Sequence, residues 1–422
     1  MRGADVIRPF LLEIIAMQPR RDFLKLVLGA SVAPGLLAQS RTSAGGPRAA
    51  ARLPIQSTGS KIKSIETFTN GSLSIVRVRT NRGQEGYGQI APYNADISAT
   101  VLHRMVAPQA LGQDPAALDA LSDRCVEANY KFPWSFVCRA LAGLDTALWD
   151  LHGKTADKSV CELLGGKPRA LPVYGSSMRR DIKPVDEAAR LVRLRDEEGY
   201  RAFKIRIGKV CGHDEDQWPG RTEELVPTVR KAIGNDVALL ADGNSCYTAP
   251  KAIEVGKMLA QNQVGHFEEP CPYWELEWTA QVAAALDVPI AGGEQDNDLA
   301  QWRRMIALHA VDIVQPDICY LGGLTRALRV ADLAAQSNLP CVPHSANLSM
   351  VTVFTLHMQG AVKNAGPYVE FSIEPTGWTD DLFTPALKVS DGKVSLPDGP
   401  GWGVTISKDW LAKAQRQVTE KT

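Results

Sequence analysis

The sequence predicts an α/β protein: a parallel (β/α) barrel preceded by a smaller α+β unit. Three observations lead there. From Leu171 to about Phe383, eight short β-rich runs alternate with helical stretches, which implies a parallel sheet, and about 210 residues suits a closed barrel. No GxGxxG follows a first strand, which weakens the rival open doubly wound sheet. Lys204, Asp242, Glu268, Glu294, Asp317, His344 and Glu370 each lie in one run or just past its end, mostly about 26 residues apart. That interval is about one βα unit, so these side chains are expected to form a ring at the C-terminal mouth, where barrel active sites lie.

Composition agrees. The chain has 422 residues, 45% hydrophobic and 22% charged, ordinary globular usage that excludes a disordered or collagen-like chain. Lys+Arg and Asp+Glu both number 47, so the basic excess of a dedicated nucleic-acid binder is missing. The eight cysteines form no CxxC pair, which argues against a zinc ribbon or a thioredoxin-type motif and for buried apolar thiols.

Residues 1–61 read as a leader and linker. Arg20-Arg21-Asp22-Phe23-Leu24-Lys25 precedes an apolar run from Leu26 to Ala38 and a stretch rich in Ser, Gly, Ala and Arg. This pattern resembles a twin-arginine signal, which implies the export machinery as a partner and a folded, soluble protein delivered to the periplasm. The apolar run is shorter than the roughly twenty residues of a spanning helix. Met17 lies just ahead of it, so residues 1–16 are read as an upstream mis-start, and cleavage is expected between about Ala38 and Ala50. Export after folding suits a protein that acquires a metal first.

Residues 62–170 read as the α+β unit. Ser72–Thr80 alternates like a strand, Asn81–Gly86 supplies a turn, and helical periodicity follows in Ile97–Leu111 and Ser135–His152. The barrel then spans 171–384, with runs Pro172–Tyr174, Ala202–Ile207, Val237–Ala241, Val264–Glu268, Val288–Gly292, Val311–Gln315, Cys341–His344 and Tyr368–Phe371.

The chemistry of the ring follows from its residue types. Asp242, Glu268 and Glu294 come from consecutive strands, and three converging carboxylates need a cation to stay ionised together. Hard oxygen donors favour Mg²⁺. Asn244 is expected behind them, whereas Glu269, next to Glu268 in an extended strand, is expected to face away. Lys204 and Arg206, at i and i+2, both point inward; a buried lysine can serve as a base, an arginine cannot. Asp317 beside His344 would set the imidazole tautomer and raise its basicity, and Glu370, if protonated, could donate to an oxyanion. A metal, a cation and a His–Asp pair together read as removal of a proton next to a carboxylate. Arg179 and Arg180 could bind a distal carboxylate or be solvated loop charges. His213, Asp214 and Glu215 could shape the pocket. Cys246 and Cys271 are read as packing residues, and His103, His152, His266, His309 and His357 are assigned no chemistry.

Over about residues 62–420 the chain resembles the enolase superfamily, within it the mandelate racemase branch. The resemblance rests on Gly143–Asp150, Leu163–Gly166, Lys204-Ile205-Arg206, Asp242-Gly243-Asn244, Phe267-Glu268-Glu269-Pro270, Gly293-Glu294-Gln295, Asp317 and Pro343-His344-Ser345. It implies a (β/α)₇β-type modified TIM barrel under an α+β capping domain, with residues 385–422 returning to that cap. It further implies Mg²⁺ on Asp242, Glu268 and Glu294, a His344–Asp317 dyad, Glu370 as oxyanion partner, cap loops near Gly86–Asn94 at the substrate's far end, and a homo-oligomer. The branch usually carries Lys-x-Lys where this chain has Arg206 second. Racemisation needs a proton carrier on each face, so a one-base dehydration of a sugar acid to a 2-keto-3-deoxy acid is favoured. A racemase or epimerase of a 2-hydroxy acid, and an exported sugar-acid binder without chemistry, are the alternatives.

Overall fold

The computed structural model describes residues 54–421 except Thr376; the expected leader lies outside them. Among the described residues no helix is long and apolar enough to cross a membrane.

The N-terminal unit is a meander of β1 (Ile62–Asn70), β2 (Leu73–Thr80) and β3 (Glu85–Ile90). Its helices are α1 (Ala95–Val101), which runs through a π turn into α2 (Ala107–Ala110), then α3 (Leu118–Ala128), α4 (Phe136–Ala156) and α5 (Val160–Leu163). Helix α4 is apolar on nearly all sides and is buried along most of its length, from Val137 to Gly153. A helix without a polar stripe must be covered all round.

The barrel proceeds as β4 (Ala170–Ser176), α6 (Pro184–Glu198), β5 (Ala202–Arg206), α7 (Arg221–Ile233), β6 (Ala238–Asp242), α8 (Ala249–Gln261) and β7 (Val264–Glu268). It continues with α9 (Leu276–Ala285), β8 (Ile290–Gly292), α10 (Leu299–Ala307), β9 (Ile313–Val314), α11 (Ile318–Leu321), α12 (Leu324–Gln336), α13 (Met350–Gln359) and β10 (Val369–Ser372). Strands β4 to β9 are neighbours in order, and β10 pairs with β4. The position between β9 and β10 is held by Cys341, which bridges Val314 on one side and Ala365 on the other. A full strand was expected over Cys341–His344; Pro340 and Pro343 lack amide donors, which confines the ladder there. Helical connections alternating with these strand positions, and a last strand that closes on the first, make a (β/α)₇β barrel.

Beyond β10 lie β11 (Phe383–Thr384), β12 (Val389–Ser390), β13 (Lys393–Ser395), β14 (Thr405–Ile406), α14 (Lys408–Lys413) and β15 (Gln415–Glu420). Strand β13 pairs antiparallel with the start of β4, and β15 with β1. The tail therefore touches the barrel before it completes the N-terminal sheet, whose order is β15-β1-β2-β3. Buried Glu66 ties that sheet together, accepting from Arg77 of β2 and from Arg416 of β15. Seven of the eight cysteines are buried and none is bonded to another.

Candidate active site

Parallel register places the ring side by side. Arg206 is opposite Asp242, Asp242 opposite Glu268, and Ser176 opposite Lys204. Glu294 sits two residues past β8, after Gly293 at φ 110°. Only glycine fits there, because an added Cβ would lie 2.2 Å from the Trp302 ring.

The Lys204 ammonium is fully buried among three of these acids, 2.6 Å from Glu268, 2.8 Å from Glu370 and 3.8 Å from Asp242. Burial opposes its charge, but these neighbours outweigh burial and hold its pKa well above the ordinary lysine value. The three surrounding acids thus favour the cationic form over the neutral base that its buried position allowed. Glu370 accepts from Lys204, from Ser176 Oγ at 2.8 Å and from the Ser345 amide at 2.7 Å. Burial would raise its pKa, yet Lys204 and His344 bring it below the usual value. It accepts three hydrogen bonds here, an arrangement that favours its ionised form. Arg206 donates to Asp242 at 2.7 Å.

His344 and Asp317 meet as expected. Asp317 caps α11, taking the Tyr320 amide on Oδ1 at 2.8 Å and His344 Nδ1 on Oδ2 at 2.8 Å. That fixes the ring and leaves Nε2 facing Glu294 at 3.2 Å. Burial disfavours the imidazolium, but Glu294 and Asp317 overcome it and lift the histidine to about 10. Burial and the nearby Glu268 and Asp242 push Glu294 up to about 7, against the opposing pull of His344.

Two residues depart from expectation. Glu269 does not face away: at φ 40° it leaves the extended region, and its buried carboxylate joins the cluster. Burial, with Glu294, Asp242 and Glu268, raises its pKa well above normal, and Oε1 has no hydrogen-bond partner. His266, assigned no chemistry, lies two residues before Glu268 on the same strand face, with Nε2 3.6 Å from Glu268 Oε2. Gln315, also missed, donates to that oxygen at 2.7 Å. The i, i+2 spacing of His266 could have revealed it; nothing in the sequence marks the turn at Glu269.

Asn244 at φ 46° donates its amide to Asp242 at 2.7 Å. Asp214 instead caps α8 through Thr248, at 2.6 and 2.8 Å, so it builds the rim. Cys246 Sγ donates to the Glu215 carbonyl at 3.2 Å, a packing role. Of the cap loop, Tyr93 meets Trp378 edge to face at 6.4 Å.

Among the described residues no group of three His, Cys, Asp or Glu side chains stands in a geometry that would hold a metal. The donor chemistry nevertheless fits a divalent ion. Asp242, Glu268, Glu269 and Glu294 crowd together as hard oxygen donors, Glu269 has an unpartnered buried oxygen, and their mutual repulsion is relieved by added positive charge.

Comparison with known proteins places this geometry. Residues 186–410 match the family described as Enolase C-terminal domain-like, and residues 50–165 match the mandelate racemase/muconate lactonizing enzyme N-terminal domain. Arabinonate dehydratase of Saccharolobus solfataricus is 30% identical over 78% of this chain and 87% of its own length. L-talarate/galactarate dehydratase of Salmonella typhimurium is 29% identical, covering 83% and 84% of the two chains. A crystal structure of a Roseobacter denitrificans protein, provisionally described as a racemase, is 55% identical, with TM-score 0.84 over 86% of this chain and 100% of its own.

Proposed function

The chain belongs to the enolase superfamily, in its mandelate racemase/muconate lactonizing enzyme branch, and from that premise we propose that it is a hydro-lyase converting a sugar acid to a 2-keto-3-deoxy acid. One observation carries this reading: His344, oriented by Asp317, faces the carboxylate cluster through Nε2, while the other inward position of β5 holds a guanidinium bound to Asp242.

Asp242, Glu268 and Glu294 would hold Mg²⁺, which when bound polarises the substrate carboxylate as a Lewis acid. The chain's own residues do the rest. Lys204 stays protonated and neutralises negative charge gathering on that carboxylate. Asp317 holds Nδ1–H of His344, and Glu294, whose charge lifts this histidine, would be committed to the cation, which would leave Nε2 as the atom that takes the α-proton. His344 then returns that proton to the β-hydroxyl as it leaves as water, and the enol tautomerises to the keto acid. Arg206 cannot deliver a proton to the opposite face.

The test is formation of 2-keto acid, read with semicarbazide, from four- to six-carbon sugar acids and Mg²⁺. His344→Asn is expected to lower turnover by about 10³-fold or more while retaining Mg²⁺ affinity. Glu268→Gln is expected to weaken Mg²⁺ binding first. The likeness to the Roseobacter protein favours racemisation as a second reading. In heavy water, deuterium in both epimers without keto acid would replace dehydration by it.

A further inference from the structure

Arg179 and Arg180 are adjacent in sequence and opposite in behaviour. Arg179 is exposed and commits Nε and Nη2 to Asp181 at 2.9 and 2.8 Å. Arg180 is half-buried and turns inward, its Nε donating to the Gly208 carbonyl at 3.0 Å and its Nη2 to Asn244 Oδ1 at 3.2 Å. Asn244 in turn donates to Asp242, so Arg180 stands one side chain from the carboxylate cluster.

Among the described residues Arg180 is hydrogen-bonded only to neutral oxygens and pairs with no carboxylate. Arg139, Arg169, Arg221, Arg230 and Arg326 also bond to main-chain carbonyls and to no carboxylate, but of these none reaches Asn244 or the β6 end of the mouth. Arg180 has no such bond at Nη1, and neighbouring Arg206 has a buried Nε without an acceptor. Burial and the charge of Arg206 press on the Arg180 guanidinium. The mouth is thus divided: acids follow β6, β7 and β8, and two guanidiniums with spare donors follow β4 and β5. One carboxylate accounts for the acidic arc, through the cation it needs. The spare donors at Arg180 Nη1 and Arg206 Nε are then left for another acceptor, and planar guanidinium donors match a carboxylate.

We infer that Arg180, with Arg206, binds a second carboxylate, so that the substrate class is a sugar diacid, an aldarate. The inference rests on the dehydratase reading for its kinetic measurement alone. The test uses the Mg²⁺-loaded protein with two matched pairs, galactarate with galactonate and glucarate with gluconate. The ratio of kcat/KM for diacid over monoacid is expected to exceed about 10 in at least one pair, and to fall by about 30-fold or more, through KM, in Arg180→Gln. Arg179→Gln is the control that keeps the ratio. An unchanged ratio in Arg180→Gln, equal loss on diacid and monoacid, or a native preference for the monoacid overturns the inference. Thermal shifts with Mg²⁺ and each acid separate the two readings. If no acid is turned over, dehydration fails; diacid-specific stabilisation that disappears in Arg180→Gln would still support the diacid site. Without turnover, absence of that stabilisation overturns it.

Discussion

Glu268 and Glu269 are chemically alike and adjacent, yet one backbone angle decides what each can do. Strand alternation would send Glu269 out of the barrel. The left-handed turn at φ 40° sends its carboxylate back among Asp242, Glu268 and Glu294. His357 shows the same dependence on surroundings away from the site. Its Nδ1 accepts the Cys161 amide at 3.1 Å and its Nε2 donates to the Trp402 carbonyl at 3.0 Å, which only the neutral ring can do. Burial lowers its pKa to about 4, below the ordinary histidine value of 6.5. The unfolded chain therefore takes up the proton first. Stability from this residue is complete above about pH 6.5 and is lost as pH falls toward about 4. The stability gap between the native protein and His357→Gln, measured by denaturant unfolding, is expected to narrow by about 2 kcal/mol from pH 7.5 to pH 5. A gap independent of pH would refute the neutral-ring assignment.

Among elements, the contact of β3 with α4 links the cap to the site. Gly86 and Gly88 let the strand lie directly on the helix: a Cβ on Gly88 would be 2.4 Å from the Ala147 amide and from Thr146 Oγ1. Between them and the barrel, Gln89 donates to Ser349 Oγ at 2.8 Å and accepts the Met350 amide at 3.0 Å, holding the start of α13 just after the His344 segment. Gly88→Ala must push strand and helix apart, with an expected loss of about 2–3 kcal/mol, visible as a lower Tm. Little change would mean that this contact yields more easily than its spacing implies. The barrel strands were legible as elements because β-rich runs and helical stretches alternate. Three runs read at least two residues longer than the strands are: Val288–Gly292 shortens to Ile290–Gly292, Val311–Gln315 to Ile313–Val314, and Cys341–His344 to a bridge at Cys341, where prolines on either side of Cys341–Val342 remove ladder donors.

At the scale of the molecule, the first and last described strands of the N-terminal sheet are neighbours, β1 with β15, so the cap is assembled from both ends of the enzyme. We propose that the segment preceding it, with Arg20-Arg21 ahead of the apolar run Leu26–Ala38, exports the folded enzyme to the periplasm. Replacing both arginines by lysine is expected to leave the enzyme in the cytoplasmic fraction. Export of the doubly substituted protein at the native level would sink a twin-arginine route.

The sequence by itself determined the barrel class and the ring: strand spacing sets which residues reach the mouth, and residue type sets whether they are acid, cation or base. Only the tertiary structure decided orientation and charge state. It turned Glu269 and Arg180 inward and Arg179 outward, brought His266 and Gln315 to Glu268, and set Lys204 against Glu370, which favours the charged form of both. The reason is physical. Periodicity is a local property of the chain, whereas a left-handed residue at a strand end overrides it. Ionisation, in turn, depends on neighbours far away in sequence and a few ångströms away in space.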